Sequence, residues 1–68
     1  MSPAELKAWR DSLDLSQRDA AKALGVTPAT YQALERGTSF VTGKPIEIDL
    51  RTEFACRYLA EHPELIPQ

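Results

Sequence analysis

Apolar side chains recur every three or four residues in several stretches of the chain, which is the spacing of one face of an α-helix. In the first stretch, Leu6, Trp9 and Leu13 share such a face. Residues 2–5 (SPAE) precede it as a capping box, with proline at the first helical position where its missing N–H is harmless. This pattern predicts a helix over about residues 3–12, with Trp9 in the core.

Two shorter helices joined by a tight turn are predicted next. Ser16 can cap the first of them with its hydroxyl, and Gly25 can adopt the left-handed conformation that ends it. Thr27 then supplies a new cap, Pro28 occupies the first position of the next helix, and Gly37 closes that helix. Apolar side chains are expected to meet in the angle between the two helices: Ala21, Leu24, Val26, Tyr31 and Leu34.

A loop is predicted after this pair, because residues 38–45 are mostly small polar residues, glycine and proline. Phe40 or Val41 is expected to pack back and anchor the loop. Residues 46–48 (IEI) alternate apolar and polar side chains, which fits a short extended segment but is too short to predict a strand. In the helix before the loop, Tyr31 is expected in the core with its hydroxyl at the rim.

The last helix is predicted to begin after a cap at Asp49 and to end at about Glu61. It carries two neighbouring apolar lines, one of which can complete the core while the other meets a second copy of the chain. Residues 64–68 are expected to form a poorly fixed tail, in which Leu65 and Ile66 can pack on a partner. The two lines are Leu50, Phe54 and Tyr58 and, beside them, Ala55 and Leu59.

Length and composition limit the classes of protein to which the chain can belong. Its 68 residues suffice for one small domain over residues 1–68, because so short a chain cannot enclose a second core. No apolar run approaches the roughly 20 residues that span a bilayer, and the N-terminal residues lack the features of a secretory signal. The single cysteine, Cys56, excludes an internal disulfide framework and suits a reducing compartment. These features predict a cytoplasmic all-α domain of four to five short helices.

The formal net charge of −2 argues mildly against nucleic-acid binding, since phosphates attract cations. The acidic excess is nevertheless confined to one part of the chain. Residues 1–44 hold six Lys or Arg and five Asp or Glu, whereas residues 45–68 hold only two Arg against five Asp or Glu. Such a polarised chain can present a basic face to DNA and an acidic face to solvent.

Metal binding and catalysis have little support in the sequence. Cys56 and His62 are the only soft metal ligands, whereas a structural zinc site needs four. No Ser, His and acid constellation and no phosphate-cradling glycine loop is present, and Cys56 and His62 lie six positions apart, too far to meet as a nucleophile and base. The sequence therefore predicts no metal, no cofactor, no small-molecule ligand and no enzymatic activity, with Cys56 as a small buried apolar residue.

A pattern of several fixed positions runs through the two short helices, over residues 16–37. Gln17 opens the first helix, Ala21 follows four residues later, and Gly25 stands at the turn. Tyr31 comes six residues after the glycine, and residues 34–37 (LERG) end the second helix. This pattern resembles the helix-turn-helix of the phage-repressor and Cro-like (Xre-type) DNA-binding family. Tyr31 is larger than the residue usual at its place in the family.

The resemblance implies that the second helix lies in the major groove of DNA and the first lies across the backbone. Gln17 would then bind a phosphate through its side-chain amide and backbone N–H, while Gln32 would bond adenine N6 and N7. Pro28, Ala29 and Ala33 offer only methyl-type contacts to thymine, so DNA shape and dimer spacing would supply part of the specificity. The family's contact places match Gln17, Arg18, Thr27, Pro28, Ala29, Gln32, Ala33 and Arg36, and Thr30 and Lys44 are further candidates for DNA binding.

Some of these residues also have interpretations that involve no contact with DNA. Arg18, Thr30, Arg36 and Lys44 are candidates for phosphate binding. Arg18, Lys22 and Arg36 can instead form only a solvated face, as charged helix residues commonly do. Arg36 can instead pair with Asp14 or Glu35.

The functional hypothesis from the sequence is a homodimeric repressor, of bacterial or phage origin, that binds an inverted-repeat operator in double-stranded DNA. Two half-sites add their binding free energies, so a dimer gains selectivity that one recognition helix lacks. Residues 49–62 would form the dimerisation helix, with Phe54, Tyr58, Leu59 and Leu65 at the interface. Residues 16–21 (SQRDAA) and the later Phe-Ala-x-x-x-Leu also resemble, less extensively, anti-CRISPR-associated autorepressors.

Other functions remain open at this point. Restriction-modification controllers and antitoxins share the domain. The alternative from another class is a protein-interaction module, such as an antitoxin or antiactivator, which the negative charge and the few polar residues of the recognition helix favour.

Overall fold

The computed structural model describes residues 1–39 and 42–67, and this part of the chain contains four α-helices and one short 3-10 helix. An all-helical fold with a helix-turn-helix is thereby confirmed. The elements are α1 (Pro3–Ser12), α2 (Gln17–Leu24), α3 (Pro28–Arg36), α4 (Leu50–Glu61) and the terminal 3-10 helix (Pro63–Leu65).

Each α-helix begins at a residue whose side-chain oxygen accepts a backbone N–H of the first turn. Ser2 and Glu5 form a reciprocal capping box, with N···O distances of 3.1 and 2.9 Å. Ser16 accepts the N–H of the third residue of α2 at 3.0 Å, and Asp49 does the same for α4 at 2.8 Å. Thr27 caps α3. Because a cap contributes typically about 1 kcal/mol, these four residues fix where the helices start.

Positive φ angles end the middle helices and shape one connection. Gly25 (φ 72°) ends α2 and Gly37 (φ 84°) ends α3, as the positions of these glycines in the sequence predict. Asp14 adopts φ 56° between α1 and α2, a left-handed conformation that Asp tolerates better than most residues. The spacing of apolar residues in the sequence does not predict this turn.

Gly37→Ala is expected to destabilise the protein more than Gly25→Ala does. A Cβ in the left-handed region costs roughly 1–2 kcal/mol at either position. At Gly25 an added Cβ meets nothing within 4 Å, whereas at Gly37 it would lie 3.1 Å from Pro3 Cγ. Urea unfolding of the two variants at pH 7 measures the difference, and equal losses would contradict a packing role for Pro3.

The core lies where the four α-helices meet. Ala21 of α2 is fully buried, so this small residue occupies the junction with α3 that the sequence predicts for it. Trp9 is 8% exposed, and its Nε1–H donates to the Cys56 carbonyl oxygen at 2.7 Å, which ties α1 to α4. The buried cluster comprises Leu6, Trp9, Leu15, Ala20, Ala21, Tyr31, Cys56 and Ile66.

Three expectations about individual residues are corrected. The Tyr31 side chain is fully buried, so its hydroxyl does not reach the rim. Ile66 is only 7% exposed and belongs to the core, because the terminal 3-10 helix turns the chain back onto α4. Residues 64–67 are therefore not the poorly fixed tail that the sequence predicts. Ala33, which is predicted to contact DNA, is also only 7% exposed and lies on the inner side of α3.

In the described part of the loop after α3, an antiparallel bridge joins Thr38 and Pro45, and residues 46–48 form no strand. The Ser39 N–H donates to the Lys44 carbonyl oxygen at 2.8 Å, which closes the loop on itself. The predicted anchors Phe40 and Val41 lie outside the described residues.

Candidate nucleic-acid interface

The outer surface of α2 and α3 holds most of the predicted DNA contacts. Eight of the ten are exposed and Gln17 is half-buried. Ala33 is the exception: because its methyl group is buried, it is not available to a thymine, and the prediction that it contacts DNA is corrected. The exposed eight are Arg18, Thr27, Pro28, Ala29, Thr30, Gln32, Arg36 and Lys44.

The turn brings the beginnings of α2 and α3 to one surface. Arg18, Asp19 and Lys22 of α2 line an open groove of about 560 Å³ together with Val26 and Pro28, which lie at the turn and the start of α3. The sequence separates Arg18 from Pro28 by ten positions, and the fold places them side by side. This groove joins the predicted phosphate-binding helix to the tip of the predicted recognition helix.

One exposed face of α3 carries the candidate base-reading groups. Gln32 lies three residues after Ala29 and four after Pro28, so these residues share a face, and Arg36 continues it one turn later. Gln32 is the only long amide on this face. Its carboxamide can donate and accept at once, which is the pairing that adenine N6 and N7 require.

Thr27 and Thr30 form a small hydrogen-bonded pair at the start of α3. The Thr27 hydroxyl accepts the Thr30 backbone N–H at 3.2 Å and donates to Thr30 Oγ1 at 2.9 Å. The hydroxyl of this pair whose proton is not shared with the other can donate to a phosphate oxygen.

A partly buried ion pair lies behind this surface and, with Gln17, joins three helices. Arg10 of α1 donates from Nε to Glu35 Oε2 at 2.6 Å and from Nη2 to Glu35 Oε1 at 3.3 Å. Gln17 Nε2 donates to the same Oε1 at 3.1 Å, and Arg10 Nη1 donates to the Leu15 carbonyl oxygen at 2.9 Å. The Arg10 and Glu35 side chains are only 14% and 6% exposed. We call this group the Arg10–Glu35 junction.

Burial and hydrogen bonding shift the pKa values of the junction in opposite directions. Burial favours a neutral Glu35, but the donor groups of Arg10, Tyr31 and Gln17 outweigh it and lower the pKa of Glu35 below its ordinary value. Burial raises the pKa of Tyr31, whose hydroxyl lies close to Glu35. That hydroxyl is the one buried side-chain polar atom in residues 1–39 and 42–67 that lacks a hydrogen bond of standard geometry.

The lowered pKa of Glu35 predicts a loss of stability in acid. A carboxyl group with a folded-state pKa below its unfolded value stabilises the fold above the unfolded pKa, here about 4.5, and this contribution disappears as the pH falls through the folded pKa. The free energy of unfolding in urea should therefore decline below about pH 4.5. The decline should be shallower in an Arg10→Leu/Glu35→Leu variant, and identical slopes in the two proteins would refute the assignment to Glu35.

A second surface lies on the outer side of α4. Leu50, Phe54 and Tyr58 are 65%, 56% and 55% exposed, and Leu65 of the 3-10 helix is 53% exposed. Leu59 differs from them, because it is half-buried and packs against the core. The outer line of the two predicted on this helix is thus Leu50, Phe54 and Tyr58. We call these three residues together with Leu65 the α4 stripe.

The structure offers few features typical of other kinds of site. Burial raises the pKa of the Cys56 thiol to about 11, so the group is protonated and unreactive at neutral pH. Within the described ranges, no three His, Cys, Asp or Glu side chains come together as metal ligands. None of the described helices has the length and apolar character needed to cross a bilayer.

Comparison with known proteins places this geometry in a family. The model of a family described as helix-turn-helix matches residues 6–42, which is more than half of the chain and includes most of α1 and all of α2 and α3. No curated protein and no solved structure matches significantly. The matched family consists of DNA-binding regulators that are typically not enzymes. The chain belongs to the Cro/C1-type (Xre-type) helix-turn-helix family of DNA-binding proteins.

Proposed function

We propose that the protein is a transcriptional repressor that binds an inverted-repeat operator as a homodimer, with α3 of each protomer in the major groove. The observation that supports this most strongly is the exposed face of α3, where Gln32 stands between small apolar residues and Arg36. An operator in the promoter of its own gene would make it an autorepressor in the bacterial cytoplasm. Small regulators of phages and mobile elements, including anti-CRISPR-associated ones, fit this proposal.

In the proposed complex the phosphate contacts set the position of the protein and the base contacts set its specificity. Arg18, Thr30, Arg36 and Lys44 would bind phosphates from three places on the surface: α2, α3 and the loop that follows. Gln17 would bind a further phosphate from the start of α2. Gln32 would supply the only bidentate base contact, so each half-site would be read weakly.

Weak half-sites make a dimer necessary for selectivity, because the binding free energies of two half-sites add. The α4 stripe is the surface we assign to this dimer. It includes the predicted interface residues Phe54, Tyr58 and Leu65 and adds Leu50, whereas Leu59 serves the core. Large apolar side chains more than half exposed at four neighbouring places would be costly on a monomer and are suited to an interface.

Two substitutions separate base reading from phosphate binding. Selection from a random-sequence duplex pool should enrich an inverted repeat, on which variants can be compared by fluorescence anisotropy. Gln32→Ala should cost roughly 1–3 kcal/mol per half-site and flatten the preference at one base position. Arg18→Ala should weaken binding to all duplexes about equally and reduce the slope of log K against log[salt] by about 1 per protomer.

If Arg18→Ala changes the base preference and Gln32→Ala weakens binding to all duplexes equally, α3 does not read bases as proposed. If the pool yields no enriched sequence, the second candidate function gains support. That function is a protein-interaction module such as an antitoxin or antiactivator, which is favoured by the net charge of −2 and by the exposed α4 stripe.

A further inference from the structure

Gln17, the proposed phosphate ligand at the start of α2, is held by a residue near the far end of α3. Its Nε2 lies 3.1 Å from Glu35 Oε1, and Glu35 is in turn bound by Arg10 through Nε at 2.6 Å and Nη2 at 3.3 Å. The Glu35 side chain is 6% exposed, so bulk water does not compete for its oxygens. The three side chains form one connected and largely buried hydrogen-bond network.

The chemistry of Glu35 determines which way the Gln17 amide faces. An ionised carboxylate can only accept hydrogen bonds, and an amide has one donor end and one acceptor end. With Arg10 beside it and a pKa lowered below its ordinary value, Glu35 is ionised at neutral pH. Gln17 must therefore turn its NH2 group toward Glu35. One N–H is used there, and the second N–H of the same nitrogen remains to donate elsewhere.

The same ion pair also fixes the backbone that leads into α2. Arg10 Nη1 donates to the Leu15 carbonyl oxygen at 2.9 Å, immediately before the Ser16 cap. The N–H groups of the first helical turn lack intrahelical acceptors, as at the start of any helix. The Arg10–Glu35 junction thus holds both the side-chain donor of Gln17 and the backbone that precedes it.

We propose that Glu35 is a positioning residue for DNA binding, which orients the Gln17 amide so that its second N–H donates to the phosphate that the start of α2 contacts. The proposal rests on the proposed function, because it assumes that Gln17 contacts DNA. Glu35 itself touches no nucleotide in this arrangement. A side chain held ready in this way avoids the loss of rotamer entropy on binding, which corresponds to about two- to tenfold in Kd.

A double-mutant cycle tests this role. Gln17→Ala is introduced into the full chain and into an Arg10→Leu/Glu35→Leu variant, in which both partners are replaced so that no buried charge is left unpaired. Kd is measured by anisotropy on the inverted-repeat duplex enriched from the random pool, after melting curves establish that each variant is folded. We expect Gln17→Ala to raise Kd about tenfold in the unaltered protein and no more than about threefold in the leucine variant.

A second background keeps the test decisive if the leucine variant does not fold. In Arg10→Met/Glu35→Gln both charges are again removed, so none is left buried and unpaired, and the amide at position 35 can donate as well as accept and so no longer dictates the orientation of Gln17. The effect of Gln17→Ala should be reduced there as well.

The outcomes separate the two proposals. If the unaltered protein binds the enriched duplex and Gln17→Ala costs the same factor in every background, or has no effect at all, the positioning role is wrong while the proposed function stands. If no duplex is bound selectively, both are wrong.

Discussion

Replacement of Arg10 by alanine is expected to unfold most of the protein at 25 °C. The substitution leaves the carboxylate of Glu35, 6% exposed, without its cation, and removal of one partner from a buried ion pair typically costs about 3–5 kcal/mol. A single core in a chain of this length rarely supplies more than that amount. Urea and thermal unfolding followed by circular dichroism at pH 7 would measure the loss.

Two variants act as controls for Arg10→Ala. Lys7→Ala removes the cation of an ion pair one turn away whose partners, Lys7 and Asp11, are 62% and 57% exposed. It should cost less than about 1 kcal/mol. Arg10→Leu/Glu35→Leu should remain folded, since apolar side chains of similar size often replace a buried ion pair without loss. A midpoint for Arg10→Ala within a few degrees of that for Lys7→Ala would refute the importance of the junction.

Phe54→Glu is expected to abolish dimerisation and to lower operator affinity by on the order of 100-fold. Specific binding typically exceeds non-specific binding by about 4–10 kcal/mol, and a monomer that fills one half-site forfeits about half of that advantage. Phe54 is 56% exposed, so the fold should tolerate the charge. Sedimentation equilibrium and anisotropy on duplexes with one or two half-sites would measure the two effects.

Ala60→Glu is the matched control for Phe54→Glu. It places the same charge on an exposed position of α4, about 120° around the helix from Phe54. We expect Ala60→Glu to leave both the molecular mass and the affinity unchanged. If Phe54→Glu remains a dimer, or if Ala60→Glu dissociates equally, the α4 stripe is not the interface.

The helices and their boundaries could be predicted because the signals that set them are local. Ser16, Thr27 and Asp49 each accept the N–H of the residue three positions later, and Gly25 and Gly37 end their helices through their own positive φ angles. Nothing beyond a few neighbouring residues is needed to recognise such positions. The exposed contact face of α3 could be anticipated for the same reason, once the family pattern had fixed its register.

The Arg10–Glu35 junction could not be predicted, because its partners lie on different helices 25 positions apart. Spacing carries no signal over that distance, and in sequence Arg10 and Glu35 are indistinguishable from surface charges. Ile66 was misplaced for a related reason: only the turn of the terminal 3-10 helix brings it to the core. Ala33 was misplaced because helical periodicity does not tell how widely α3 is covered by its neighbours.

The most direct test of sequence-specific DNA binding is fluorescence anisotropy of the purified protein on a duplex from the promoter of its own gene. A scrambled duplex of the same composition is the comparison, at two salt concentrations. We predict tight binding to the promoter duplex that weakens steeply with salt, because phosphate contacts release counterions, and much weaker binding to the scrambled duplex. Equal and weak binding to both duplexes would contradict sequence-specific DNA binding and would favour a function through a protein partner.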